Sequence, residues 1–346
     1  MSTIHDVARL ADVASVTVSR YLNSNAPVSA AARRRIEAAI AELGYVPNAL
    51  AQGLKSRATH TLGLVVSDVT NPFFTTIARA VEDTAQAAGY SLILCNTDED
   101  PEKQRLYLDV LRRKRIDGIL IAPASDDGAS ILDWRRHCGP VCVLDRTLQQ
   151  QADTASAEID TVRGDSTEAA CRLVAHLVEH GHRRIAVITG PEHISTATER
   201  LEGYGQALSE AGIPLDPTLI QRCPFRVESG YAAADALLQQ AQPPTAFFAA
   251  NNFLTIGVLA AIRNRGLVVP RDIAVVDFDE IPQIALVLPF LTVAAQAVQE
   301  IGRQGATYLL ERLARLRSHE TAPLPGRELV LPTEIIIRQS CGCHAD

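Results

Sequence analysis

Ser15, Val16, Thr17, Ser19 and Arg20 crowd into the six residues SVTVSR (15–20). Short hydroxyls exchange hydrogen bonds with phosphate oxygens. An arginine reads the O6/N7 edge of guanine through two parallel N–H bonds in the major groove. The segment therefore carries the chemistry of duplex DNA recognition; a polar protein-interaction face is the alternative that the pattern leaves open. No catalytic set competes with it. There is no GxxxxGK[ST], no strand-coupled GxGxxG and no GxSxG elbow. His176, His180 and His182 stand at i, i+4 and i+6, with the first two on one helical face, but no sequence neighbour completes a zinc site. They read as surface or packing histidines. The seven cysteines are odd in number and scattered, as reduced thiols are. Cys341 and Cys343 with His344 offer two thiols and one tail imidazole, a poor metal set, so 341–346 is expected to be a solvated tail. No enzyme, metal or cofactor is expected.

The elements that must position this chemistry are short. Ile4, Val7, Ala8 and Ala11, then Val18 and Leu22, fall at 3/4 spacing and predict helices over 4–11 and 15–22. Asp12 and Val13 form the tight connection, and Ser15 is expected to cap the second helix. A third helix starts at a Ser29 cap, stops at Gly44, and buries Ile36, Ala39, Ile40 and Leu43. Residues 1–60 hold seven basic against four acidic side chains, a charge of +3, while the whole chain carries −7; the remainder is thus at −10. A basic head on an acidic body suits a localised polyanion contact.

Next comes PNALAQGLKSR (47–57), rich in helix formers behind a proline. Asn48 to Ser56 is only nine residues, and isolated helices below roughly 12–15 residues are marginal in water. From residue 62 the pattern changes. LGLVV, SLILC, GILIA, VCVLD, RRIAVITG, TAFFAAN and DIAVVDFD read as buried strands. Between them lie amphipathic helices such as 75–88, 102–114, 166–180 and 198–211. Such alternation implies parallel sheets covered on both faces. The strands are too many for one sheet, and the stretch near 152–165 divides them, which predicts two doubly wound lobes. Ligands gather at the carboxyl ends of such strands, so facing lobes share a cleft. No run reaches the roughly 18 apolar residues of a membrane span. The N-terminus carries charges where a signal peptide has its apolar core; no membrane partner and a cytoplasmic location are expected.

IHDVARLADVASVTVSRYLN…VSAAARRRIEAAIAELGYVPNALAQGL resembles the helix-turn-helix headpiece and hinge of the LacI/GalR repressor family, in register over about 55 residues. The resemblance implies that Ser15, Val16 and Arg20 read bases and that Thr3, Thr17, Ser19 and Ser29 touch phosphates, with His5 and Asn23 supporting that surface. It further implies a hinge helix containing Asn48, in which Leu54 enters the minor groove at the operator centre and Ala51 permits close approach. A pseudo-palindromic operator bound by a homodimer follows.

The body resembles the family's effector domain, related to periplasmic sugar-binding proteins, through DVTNPFF (68–74), GHRRIAVITGP (181–191), RLEGY (200–204), VPRDIAVVDFDEIP (269–282) and LPTEIIIRQS (332–340). The implied organisation is a headpiece over 1–47 and a hinge with linker over 48–61. The effector domain follows over 62–340, then the tail. Crossovers near 161, 292 and 327 give an N-lobe of 62–160 plus 293–326 and a C-lobe of 161–292 plus 327–340. Phe73, Phe74, Arg146, Thr196, Arg200, Phe225, Asn251 and Asp279 correspond to effector-pocket positions. Departures are Asn251-Asn252 for the usual Asn-Asp, Asp277 for Gly, Gly164-Asp165 for Asp-Asn, and Gln296-Ala297 for Gln-Pro. With SRYLN and RQSCGC, the Asn-Asn variant is most similar to members sensing keto-sugar acids such as 2-ketogluconate or 2-keto-3-deoxygluconate. Two arginines beside Asn and Asp would suit a carboxylate-bearing sugar; a neutral sugar is the alternative. Family tetramers carry a leucine heptad tail after the last strand, and RQSCGCHAD is no coiled coil. Release from DNA on effector binding is expected. A solute-binding protein without regulatory action and a sugar-directed enzyme are the rival readings, disfavoured by the basic head and by the missing catalytic groups.

Overall fold

The computed structural model describes residues 2–22, 28–46, 58–148, 156–281, 290–318 and 324–343. It divides into two units, 1–59 and 60–346. The first holds α1 (Ile4–Leu10), α2 (Ser15–Leu22) and α3 (Ala30–Leu43). Thr3 and Asp6 form a reciprocal capping box at the start of α1, and Ser29 accepts from the Ala32 N–H to cap α3. Gly44 ends α3 at φ +54°, the left-handed conformation that glycine adopts without a Cβ clash. Asp12, at φ +48°, turns the chain between α1 and α2. Val7, Ala8, Ala11, Val18, Ile36 and Ala39 are buried together as the head's core.

The second unit holds two six-stranded sheets. The first contains β1 (Thr61–Val66), β2 (Ser91–Asn96), β3 (Gly118–Ile121), β4 (Val141–Leu144), β5 (Asp160–Gly164) and β11 (Glu328–Leu331), in the order β11-β5-β4-β3-β1-β2 and all parallel. Alternation along its strands feeds two cores. Leu62, Leu64 and Leu120 meet α4 (Pro72–Ala87) and α11 (Val298–Arg317), while Val65, Ile119 and Ile121 meet α5 (Pro101–Arg113) and α6 (Ala129–His137).

The second sheet contains β6 (Ile185–Thr189), β7 (Ile220–Arg222), β8 (Ala246–Ala249), β9 (Ala274–Phe278), β10 (Thr292–Ala295) and β12 (Glu334–Ile336), in the order β12-β10-β9-β8-β6-β7. Only β12 runs antiparallel there, against β10. Helices α7 (Ser166–Glu179) and α8 (Ser195–Glu210) cover one face; α9 (Val227–Leu238) and α10 (Asn252–Asn264) cover the other.

The lobe boundaries fall later than the sequence implied. Strands β5 and β11 keep their first-sheet register to Gly164 and Leu331, and β10 remains in the second sheet to Ala295. The crossovers therefore follow 164, 295 and 331 rather than sitting near 161, 292 and 327. Their physical marker is Gly164: a Cβ there would lie 2.2 Å from Gln296 Oε1 and 3.3 Å from Thr333 Oγ1. One residue from each crossover meets at that point, and the missing side chain of Gly164 leaves room for the Gln296 amide. β1 begins at Thr61, inside the expected 48–61 linker. The tail also differs, since Cys341 is 1% exposed within the second lobe's core.

Candidate DNA-binding head and effector cleft

In the head, α2 presents Val16 and Arg20 as exposed side chains and Ser15, Thr17 and Ser19 as half-buried ones, while Val18 turns inward. Ser15 is not the cap expected of it. Ala14 precedes the helix, its carbonyl accepting from Thr17 and Val18, and the Ser15 hydroxyl instead meets His5 Nδ1 at 3.0 Å. That contact ties His5 to the α2 face. Thr3 and Ser29 hydroxyls are engaged as caps, at α1 and α3 respectively. Asn23, Asn48, Ala51 and Leu54 lie outside the described residues.

In the body, the structure brings all eight expected effector positions to one cleft of about 760 Å³ at the carboxyl ends of the strands. Phe73 and Phe74 open α4 and meet edge to face, 5.1 Å apart and at 87°. Phe225 lies across Gly190, where a Cβ would come within 2.3 Å of its ring. Asn251 caps α10 by accepting from Phe253 N–H at 2.8 Å. Thr196, in the first turn of α8, is buried against the cleft. Asp279 follows β9 at φ +77° and accepts from Gln296 Nε2 at 2.6 Å, so the pocket is joined directly to a crossover.

Arg146 is already committed to a protein carboxylate, whereas the buried Arg200 Nε has no hydrogen-bond partner among the described residues. Arg146, 4% exposed, donates to both Glu99 carboxylate oxygens and to the Pro123 carbonyl, each at 2.6 Å. Arg200, 3% exposed, donates to the Ala250 carbonyl at 2.7 Å, lies 3.6 Å from Asp279 Oδ2, and stacks 3.7 Å from the Phe278 ring centre. Against the three arginines lining the cleft stand Asp68, Asp98, Glu99, Asp145, Glu228 and Asp279. Burial pushes the Asp145 carboxyl up to about 7 against the pull of Arg146, and burial raises Asp279 against Arg200. The surplus is acidic. Polar oxygens that accept from sugar hydroxyls, beside aromatic rings that cover a sugar's C–H face, are what this arrangement offers.

Across the cleft the two lobes touch through named groups. Asn71 and Asn252 exchange amide bonds at 3.0 and 2.9 Å, both side chains buried. Thr147 N–H donates to Ser195 Oγ at 2.9 Å, and Asp126 N–H to the His193 carbonyl at 3.0 Å. Sequence reasoning passed over Glu99, Asp145 and Asn71. Their one signal was position, each lying just beyond the carboxyl end of a strand.

The described helices include none long and apolar enough to cross a membrane. Residues 3–48 match the model of bacterial regulatory proteins of the lacI family, and 59–325 match that of periplasmic binding proteins and the sugar binding domain of the LacI family. The chain belongs to the LacI family. It is a DNA-binding transcriptional repressor with a small-molecule effector domain, not an enzyme. It is 33% identical over 342 residues to the transcriptional repressor PurR of Haemophilus influenzae (strain PittEE), covering 98% of each chain. Among solved structures it resembles the Lac repressor dimer bound to operator and the anti-inducer ONPF, with TM-score 0.81, 28% identity and 98% and 99% coverage of the two chains. It also resembles a CelR–cellobiose complex, with TM-score 0.72, 31% identity and coverage of 98% and 100%.

Proposed function

We propose that this LacI-family member is a cytoplasmic homodimer that represses genes of carbohydrate use and leaves its pseudo-palindromic operator when a neutral sugar fills the cleft. The observation that carries the effector class is the neutralisation of Arg146 by Glu99 and the placement of Arg200 beside Asp279. At Arg146 a ligand carboxylate would have to displace a protein carboxylate already in hydrogen-bond geometry, and throughout the cleft it would enter an acidic surround. Hydroxyls meet no such cost. The similarity to a cellobiose-bound regulator supports the same class. On the DNA side, Arg20, Ser15 and Val16 take the base edges, and Thr3, Thr17, Ser19 and Ser29 the phosphates, with His5 and Asn23 beside them. Asn48, Ala51 and Leu54 serve the operator centre, where unstacking a base step costs on the order of a few kcal/mol, offset by contact with bent DNA.

The second reading, a keto-sugar acid such as 2-ketogluconate, is favoured by Arg226. It is exposed at the cleft mouth and, though its charge is felt by Asp98, makes no hydrogen bond to a carboxylate among the described residues. A thermal-shift panel pairing each neutral sugar with its acid, followed by gel shifts on the chain's own upstream DNA, separates the two. Stabilisation and operator release by neutral members support the proposal; a response confined to acids overturns the effector class. Loss of sequence-specific binding in Arg20→Ala is expected, with weaker effect on non-specific DNA. Equal loss on both would remove the base-reading role.

A further inference from the structure

The two features that sequence alone set aside, the histidines of α7 and the CGC of the tail, meet in the second lobe. A potential ligand atom from each of His176, His180 and Cys343 lies within 4.8 Å of the others. Cys341 Sγ stands 3.0 Å from Cys343 Sγ. The two imidazoles lie with ring centres 4.3 Å apart, tilted 49° to each other. We propose that His176, His180 and Cys343 form a transition-metal site, with zinc as the occupant that the donor set fits and Cys341 lying beside the ligating thiol.

Donor type and preorganisation both point there. Thiolate and imidazole are the ligands of tetrahedral zinc, with Zn–S of about 2.3 Å and Zn–N of about 2.0–2.1 Å, so neighbouring donor atoms sit about 3.3–3.8 Å apart. From within 4.8 Å of one another, the three donors reach that spacing by a contraction of about an ångström. His180 has its tautomer set for the task. Nδ1 lies 2.7 Å from the His176 carbonyl, an acceptor only, so Nδ1 carries the proton and Nε2 keeps its lone pair for a metal. Ligating histidines characteristically donate their second nitrogen in this way. The tail is held in position by packing. Cys341 lies in the second lobe's core, with Cys343 packed against that core, and both thiols face the Arg338 carbonyl, at 3.2 and 3.8 Å. Binding requires the Cys343 thiol as a thiolate, so a proton passes to solvent per metal and affinity rises with pH. In effect the metal staples residues 338–343 to the end of α7, on the lobe that supplies Arg200 and Asp279 to the cleft. His344 lies outside the described residues, and the site as proposed does not use it.

The test uses the full chain, reduced with a phosphine and stripped of metal, titrated with Co²⁺ and then Zn²⁺. One Co²⁺ per chain with a near-ultraviolet thiolate-to-metal band, displaced by Zn²⁺ with a rise in melting temperature, is expected. Cys343→Ser and His180→Ala should each weaken binding by more than about 100-fold, beyond the 10–100-fold that losing an outer-shell partner costs. His180 is exposed at the helix end, so its variant should fold, as an unchanged metal-free melting temperature would verify. Cys223→Ser, remote in the other face's core, should bind as the parent does. Absence of the band, or a band that survives in both variants, or equal loss in Cys223→Ser, overturns the site.

Discussion

Replacing Glu99 by glutamine probes the cleft's electrostatics most directly. The change is isosteric but removes the charge that two Arg146 nitrogens address at 2.6 Å. Breaking one partner of a buried ion pair costs about 3–5 kcal/mol. Here the loss should fall below that range, because Glu99 is a quarter exposed, its amide oxygen still accepts one bond, and Pro123 still accepts another. About 2–3 kcal/mol is the working figure. For a unit of this size that lowers the melting temperature by about 5–10 °C. The same substitution frees a buried cation at the cleft wall. A sugar carboxylate reaching it would gain charge-assisted bonds worth about 1.5–3 kcal/mol, so acids should bind the variant about 10–100-fold more tightly than the parent. Neutral sugars should change little. Differential scanning calorimetry and titration calorimetry with matched sugar and acid read both effects. A melting temperature within about 1 °C of the parent, or a parent chain that already prefers the acids, would refute the assignment of Arg146 to Glu99 rather than to a ligand.

Two further perturbations follow from the same structure. Burial raises the Asp145 carboxyl to about 7 from 3.8, so its contribution to stability is intact below about pH 4 and lost as pH rises through 7. Asp145→Asn should therefore match the parent near pH 4 and exceed it at pH 8 by up to about 4 kcal/mol in urea unfolding; a constant difference across pH would exclude that titration. Asn252→Ala deletes both amide bonds to Asn71 and leaves the Asn71 Nδ2 donor unsatisfied, at a cost of about 1–3 kcal/mol. Closure should become about 5–150-fold less favourable, weakening effector affinity by that factor and enlarging the radius seen by small-angle scattering; unchanged affinity would mean the pair does not act as a latch.

The path from cleft to crossover is short. Asp279 reaches Gln296, and Gln296 sits over Gly164 beside Thr333, where all three lobe connections converge. A ligand that binds Asp279 thus sits one hydrogen bond away from the point where the lobe connections meet. Any effector shifts an equilibrium between forms only as far as its affinities for them differ; Asn71–Asn252 and Thr147–Ser195 are contacts between the lobes in this form.

The chain's local chemistry dictated the helix stripes of 4–43, the Ser29 and Gly44 caps and the βα alternation, because each depends on residues within a few positions of one another. Family likeness added the eight cleft positions, since each sits at a strand's carboxyl end where the topology must deliver it. What only the tertiary structure decided involves partners far apart in the chain. Glu99 neutralises Arg146 across 47 residues, Asn71 meets Asn252 across 181, and Cys343 comes to rest against His176 and His180. No periodicity encodes such meetings. The sign of the cleft's charge, and so the class of ligand it accepts, depends on which carboxylate reaches which arginine, and side-chain spacing along a strand carries no information about that.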